Sequence, residues 1–276
     1  MQSMSGKVVL VTGGSSGIGR GTALRLASLG AHVAVAARDE RALNSVVDEA
    51  RRAGAEALAV RTDVTSAEQC CHAVEMTVER YGALDILVCS AGLSMRTYFE
   101  GSDLAAMERV MQVNFFGTLY ATYFALPHVK RRGGSLVAIS SLTGRRGIPS
   151  YALYGASKFA VQGLYDSLRL ELARDGVHVG VVSPGFVDTP LRERVLGRDG
   201  QPWAHPPDPP FRIWPVEKCV ERVVRLIQKR RSQALLPAFV GPLLILDQAL
   251  GGLVGDTILP RAFAPGAEKP SGKVDS

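Results

Sequence analysis

At 276 residues, with 46% hydrophobic and 21% charged residues, the chain has ordinary globular composition and enough length for one large core rather than two small ones. The net charge of +6 falls in short clusters, Lys130-Arg131-Arg132, Arg145-Arg146 and Lys229-Arg230-Arg231, scattered and without interleaved aromatics. That pattern argues against a nucleic-acid groove and reads as solvated helix ends and loops. The four cysteines form no CxxC pair and the five histidines show no ligand spacing, so no metal site is expected and a reducing, cytoplasm-like compartment is.

The first apolar run, Lys7–Thr12, reads as a buried strand leading into a glycine-rich loop. Further strands are expected over Ala31–Ala37, Ala57–Arg61, Ile86–Cys89, Ser135–Ser140, Val177–Ser183 and a short Ala234–Pro237. Helical patterns lie between them, over Ile18–Leu29, Asp39–Ala53, Ser66–Tyr81, Met107–Arg131, Tyr154–Arg174 and Val216–Arg230. The strands are continuously apolar, as expected where helices cover both faces of a parallel sheet. The alternation therefore reads as an α/β chain with a doubly wound parallel sheet, its helices on both faces. No repeat or linker divides residues 1–276, so one domain is expected.

Two stretches break the rhythm. Residues 197–215 hold six prolines and both tryptophans, which forbids a regular ladder and suggests a lid; Trp203, Phe211 and Trp214 need something to pack against. The substrate loop is drawn over 188–215. After residue 232 comes an apolar extension whose uncharged run, Ser232–Leu246, is short of the ~20 residues of a spanning helix and is interrupted by Pro237 and Pro242. Docking on a membrane surface, or burial of a lipid-like substrate, stays open for it.

In the first loop, Gly13, Gly14, Gly17 and Gly19 stand between a strand and a helix, where a backbone can approach a pyrophosphate and a helix N-terminus supplies N–H donors. A dinucleotide site commonly has Asp or Glu at the end of its second strand; here that place is Ala37, followed by Arg38. A guanidinium suits a 2′-phosphate, so NADP(H) is expected over NAD(H), with Asp39 as the residue that could reverse the preference.

Residues 150–158, SYALYGASK, offer two phenols and one ammonium. On a helix, Tyr154 and Lys158 are i,i+4 neighbours, and an ammonium favours a phenolate over its ordinary pKa near ~10. Tyr151 lies about two turns, or ~10 Å, from Lys158 and is read as packing or a pocket wall.

The glycine loop Thr12–Gly19, the pair Tyr154 and Lys158, and a serine thirteen residues before the tyrosine together resemble the short-chain dehydrogenase/reductase family, from about residue 6 to about residue 190. The resemblance implies a Rossmann-type NAD(P)-binding domain. Carried over by position, it implies Tyr154 as the proton donor or acceptor and Lys158 as the group that lowers its pKa and binds the nicotinamide ribose. It also implies Ser141 as the holder of the substrate oxygen, with Ser140 turned away, and Asn114 as support for a proton-relay water. The cofactor set that it implies is Gly13, Ser15, Ser16, Gly17, Ile18 and Gly19 with Arg38. Asp63 and Val64 then stand beside adenine, followed by Ser90, Ala91 and Gly92, and Pro184, Gly185, Val187 and Thr189 near the nicotinamide, besides Tyr154 and Lys158 themselves. The chain departs from the family in reading Ser90 where Asn is common, and in lacking a Gly-Gly ending after the last strand.

The expectation is an NADP(H)-dependent oxidoreductase that reduces an apolar ketone or aldehyde, or oxidises the matching secondary alcohol. A homo-oligomer is expected, a dimer through helices near 107–131 and 154–174 rather than a tetramer. The compartment is read as cytoplasmic, with peripheral membrane contact through the C-terminus left open. The alternatives are a catalytically silent NADPH-binding regulator and a membrane-associated scaffold.

Overall fold

The apolar runs become seven parallel strands in a computed structural model that describes residues 2–203 and 208–263. They are β1 Val8–Thr12, β2 His32–Ala37, β3 Ala57–Arg61, β4 Ile86–Cys89, β5 Ser135–Ile139, β6 His178–Pro184 and β7 Gln233–Leu236. The sheet order is β3-β2-β1-β4-β5-β6-β7. After β1 the chain builds outward through β2 and β3, then returns to place β4 on the other side of β1. That reversal opens a crevice at the C-terminal ends of β1 and β4, the place where doubly wound sheets bind ligands.

Both faces of the sheet are covered. Val9 and Val11 of β1 join a core with Leu26, Leu43 and Ile227, from α1 Gly17–Ala27, α2 Glu40–Arg52 and α8 Val216–Lys229. Leu10, between them, faces a second core with Val74, Ala121 and Tyr165, from α3 Ala67–Tyr81, α5 Gly117–Arg131 and α6 Ala152–Glu171. This alternation follows from the period of two in a strand.

Two expectations need correction. The helix expected to start at Met107 starts at Leu104, where Asp103 caps α4 Leu104–Met111 by accepting from the Ala106 amide. It reaches α5 through a π-helical turn, Gln112–Phe116, a geometry frequent at functional sites. The C-terminal extension is also more ordered than an interrupted apolar run suggests. After β7 it forms α9 Val240–Ala249 and α10 Leu253–Phe263. Pro242 sits in the first turn of α9, where no intrahelical N–H is required. A shorter helix, α7 Pro190–Glu193, opens the expected lid.

The basic clusters are not simply solvated. Arg132 reaches Asp85 at 3.2 Å, Lys130 pairs with Asp175, and Arg146 pairs with Asp247 and Asp256.

Candidate active site

The loop after β1 is shaped by steric exclusion. Gly13 has φ +66, and a Cβ there would lie 2.5 Å from the Ala91 amide nitrogen. At Gly19 a Cβ would fall 2.2 Å from the Gly13 carbonyl oxygen, so neither site admits a side chain. Ser16 begins α1 but makes no side-chain cap bond, which leaves the first amides of the helix without that partner at its positive end. Ser15 and Ile18 are half-buried beside it, and Gly17 faces the Thr189 side chain.

Beyond the loop, Arg38 is exposed at the end of β2 and joins no ion pair among the described residues. The Asp39 carboxylate is engaged, accepting from the Ala42 amide at 3.0 Å as the cap of α2. Asp63 accepts from both the amide and the hydroxyl of Thr65, and Val64 is buried against Gly117. Ser90 donates its amide to the Thr12 carbonyl, which ties the start of the Ser90-Ala91-Gly92 segment to the end of β1.

Tyr154, Ser141 and Lys158 come together where β5 meets α6. The Ser140 hydroxyl donates to the Lys158 carbonyl, whereas the Ser141 hydroxyl, next along, accepts from the Thr143 amide at 3.2 Å and acts on the Tyr154 phenol. The two neighbouring serines thus face different partners, as read from the sequence. Lys158 is 5% exposed; its ammonium donates to the Ile139 carbonyl at 3.0 Å and lies 5.7 Å from the Tyr154 ring centroid.

Burial dominates both acidities. It pushes the phenol of Tyr154 up to about 12, with the Ser141 hydroxyl opposing, and it pulls Lys158 down to about 8. The expected lowering of the tyrosine by the lysine is therefore not realised in the protein itself. The ammonium is turned toward a backbone carbonyl, and burial of the phenol is the largest effect on it.

Asn114, at 0% exposure in the π turn, holds the wall behind this group. Its Oδ1 accepts from the Leu93 amide at 2.7 Å, and its Nδ2 donates to the Leu93 carbonyl and to the Ser157 hydroxyl. The side-chain amide thus clamps the segment following Gly92 to α6. Ser157, which the sequence reading passed over, is the other half of that clamp; its i−1 position to Lys158 was the only available signal.

The remaining segment runs past the end of β6. Gly185 donates to the Leu236 carbonyl, and Asp188 and Trp214 fix the two ends of the expected lid by pairing Val187 with Trp214. Within it, Leu196 exchanges backbone hydrogen bonds with Ser94 and Arg96 and is buried against Met95 and Met107. Pro184 closes β6, and Thr189 precedes α7 opposite Gly17. Gly13 abuts Ala91, and a Cβ on Gly92 would lie 3.8 Å from the Lys158 ammonium, so the glycine loop and the Tyr154–Lys158 group border one crevice.

The family description short chain dehydrogenase matches residues 7–199. The chain belongs to that family. An 11-beta-hydroxysteroid dehydrogenase-like protein of Arabidopsis thaliana is 35% identical to this short-chain dehydrogenase over 241 residues, 87% of the chain and 79% of the relative. An 11-beta-hydroxysteroid dehydrogenase of Pinus massoniana is 37% identical over 203 residues, 72% of the chain, and the chain spans only 57% of that relative's length. Among solved structures, a dehydrogenase/reductase from Sinorhizobium meliloti is similar with a TM-score of 0.72 and 32% identity, over 84% of this chain and 95% of that one. A short chain dehydrogenase/reductase from Burkholderia phymatum, solved in complex with NAD, gives 0.79 and 26% identity over 91% and 97%.

Proposed function

We propose that this short-chain dehydrogenase is an NADP(H)-dependent oxidoreductase that reduces a bulky apolar ketone or aldehyde. The observation that carries the reading is the Tyr154 phenol set beside the Ser141 hydroxyl and buried Lys158, on one wall of a crevice whose other wall is an uncapped helix N-terminus. A dinucleotide fits these residues: the glycine turn excludes side chains from the phosphate position, and the first turn of α1 has amides to offer. When bound, the nicotinamide supplies or accepts the hydride. Ser141 and Tyr154 would hold the carbonyl oxygen between their hydroxyls. At neutral pH a phenol pushed to about 12 keeps its proton, so Tyr154 is poised to donate it to the developing alkoxide. The phenolate left behind is stabilised by the Lys158 ammonium, which at about 8 remains mostly charged at neutral pH. Asn114 acts as a positioning residue through the Leu93–Ser157 clamp.

Preference for the 2′-phosphate is supported by exposed Arg38, in no ion pair among the described residues, and by Asp39 being engaged as a helix cap. The cofactor set carried over from the sequence, from Gly13 to Thr189, belongs to this reading. An apolar substrate agrees with the hydroxysteroid names of the relatives and with the aromatic rings of Tyr151, Phe186 and Phe211 near the crevice. Fluorescence titration should give tighter binding of NADPH than NADH, and Arg38→Asp should cost about tenfold or more in NADPH affinity. NADPH oxidation should be seen with a fused-ring ketone; tighter NADH binding, or no oxidation across carbonyls graded by size, would refute the corresponding half of the proposal.

A homodimer through α5 and α6 is supported by the exposed Tyr123, Phe159 and Leu170. Peripheral contact of the C-terminal helices with a membrane is supported by exposed Phe239, Leu243, Ile245 and Leu246; among the described residues no helix is long and apolar enough to cross one. The free thiols of all four cysteines fit a cytoplasmic, reducing compartment. A truncation at residue 232 would strip β7 from the sheet, so liposome flotation of Leu243→Ser and Ile245→Ser variants is the cleaner test.

A further inference from the structure

We propose that the C-terminal hairpin, α9 with α10, is the outer wall of the substrate site, latched by Arg146, and that Phe263 sets the size of carbonyl compound admitted. The proposal rests on the reading of Tyr154 as the proton donor.

Each helix of the hairpin buries a single side chain. In α9 the buried residue is Asp247, and in α10 it is Phe263. Leu243, Ile245, Leu246, Leu253 and Ile258 all remain exposed, so hydrophobic burial contributes little to holding these helices down.

Phe263 is 1% exposed at the far end of the hairpin. Its ring lies 6.1 Å from that of Tyr151, 6.4 Å from Phe186 and 5.7 Å from Phe211. These neighbours come from three parts of the crevice: the entrance of α6, the segment after β6 and the expected lid. Tyr151 in turn lies edge-on to Tyr154 at 6.2 Å. Phe263 is therefore one aromatic ring away from the proton donor, and a smaller side chain there enlarges the space bounded by Tyr151 and Phe186.

A further attachment is ionic. Arg146 stands five residues after Ser141, on the same turn, and its amide donates to the Leu142 carbonyl. The guanidinium stands with Nε 2.9 Å from the Asp247 carboxylate, an ion pair by distance without an aligned hydrogen bond; it pairs through Nη2 with Asp256 and donates to the Gly252 carbonyl at 3.0 Å. The space it occupies depends on glycine: a Cβ on Gly255 would lie 2.5 Å from Nε. The Gly255 amide completes the knot by donating to Asp247. One arginine thus couples the segment carrying Ser141 to the hairpin carrying Phe263. An attachment of this kind weakens with salt and opens locally more easily than a packed core.

The test compares cyclohexanone with a fused-ring, steroid-sized ketone, both with NADPH, in wild type, Phe263→Ala, Phe263→Leu, Arg146→Gln and Arg146→Lys. Phe263→Ala should raise the kcat/KM ratio of the large over the small ketone by about tenfold, mainly through KM, with Phe263→Leu moving it less in the same direction. Arg146→Gln should speed thermolysin cleavage within residues 240–263 and remove the salt dependence of KM for the large ketone, and Arg146→Lys should restore part of both. A fused-ring alcohol should also protect that segment from thermolysin in wild type more than in Phe263→Ala, a readout that needs no turnover. If both Phe263 variants lose thermal stability while the ketone ratio and the ligand protection stay at wild-type values, the wall is merely structural and the proposal is overturned. If wild type reduces neither ketone, the Tyr154 reading fails instead, and absence of ligand protection then overturns the wall as well.

Discussion

At the N-terminal ends of the strands, Asp85 is 1% exposed, and its carboxylate accepts from the Val8 amide at 3.0 Å, the Lys7 ammonium at 2.9 Å and the Arg132 guanidinium at 3.2 Å. At the C-terminal ends, Lys158 is 5% exposed and donates to a neutral carbonyl, while the Tyr154 phenol stands beside a serine hydroxyl. Burial pushes Asp85 up, but the Val8 amide and the two cations more than reverse it, so its carboxyl sits below the usual range. At the other end burial meets no such answer and moves Lys158 to about 8 and Tyr154 to about 12. One sheet therefore buries charge in two ways. With opposite charges supplied, the group pins the fold; without them, its acidity shifts, and it is there that the proposed proton transfer is placed.

The sharpest way to break this comparison is to remove the phenol. Tyr154→Phe should lower kcat for carbonyl reduction by about 10³-fold, as expected for loss of a positioned acid, and leave NADPH affinity nearly unchanged. Single-turnover NADPH oxidation with a fluorescence titration checks both. A wild-type rate would remove Tyr154 from the chemistry, and would favour a cofactor-binding regulator only if the wild-type protein also turned nothing over.

The opposite end should respond in stability rather than rate. Asp85→Asn should cost about 3 kcal/mol, the low end for breaking a buried ion pair, because half-exposed Arg132 and partly exposed Lys7 can rehydrate. The wild-type advantage has a pH window. Since the folded carboxyl is depressed, its contribution is fully present above the unfolded value of about 3.9 and is lost as pH falls through the lower folded value. Urea unfolding at pH 7 and at pH 3 should therefore show the gap between wild type and variant shrinking in acid; a constant gap would show that packing, not charge, holds Asp85.

The two ends were unequally legible in the sequence. The strands showed as continuous apolar runs, and the glycine loop with Tyr154 and Lys158 showed because their chemistry is written in local spacing. Asp85 gave no signal, since Lys7 and Arg132 lie 78 and 47 residues away and meet it only once the sheet forms. Arg146 was hidden for the same reason: its carboxylates are about a hundred residues downstream, and a basic pair on a loop reads as solvated. The C-terminal helices escaped because Pro237 and Pro242 read as breakers, whereas in the fold Pro242 lies in a first turn, where proline is tolerated. Even at the site, spacing predicted that Lys158 and Tyr154 would be neighbours but not which effect governs their acidity. That balance is set by burial, and burial belongs to the tertiary structure.

The smallest expected effect is the one that separates the two ends most cleanly. Lys158 has a folded value of about 8, below the 10.5 of an ordinary lysine, so below pH 8 the native state carries the cost of a charged group that has been desolvated. Between the two values the unfolded chain binds more protons, and this residue makes stability rise with pH, the reverse of what a paired lysine would do. Lys158→Met relieves that cost but leaves the Ile139 carbonyl without its donor, so the net gain at pH 7 should be about 1 kcal/mol, seen as a higher Tm, and should vanish toward pH 10. Catalysis should be lost in the same variant. Removing one buried charge would then stabilise the protein where removing the other destabilises it; a Lys158→Met variant less stable than wild type at pH 7 would mean that the ammonium is as well satisfied as Asp85, and the distinction between the two ends of the sheet would fall.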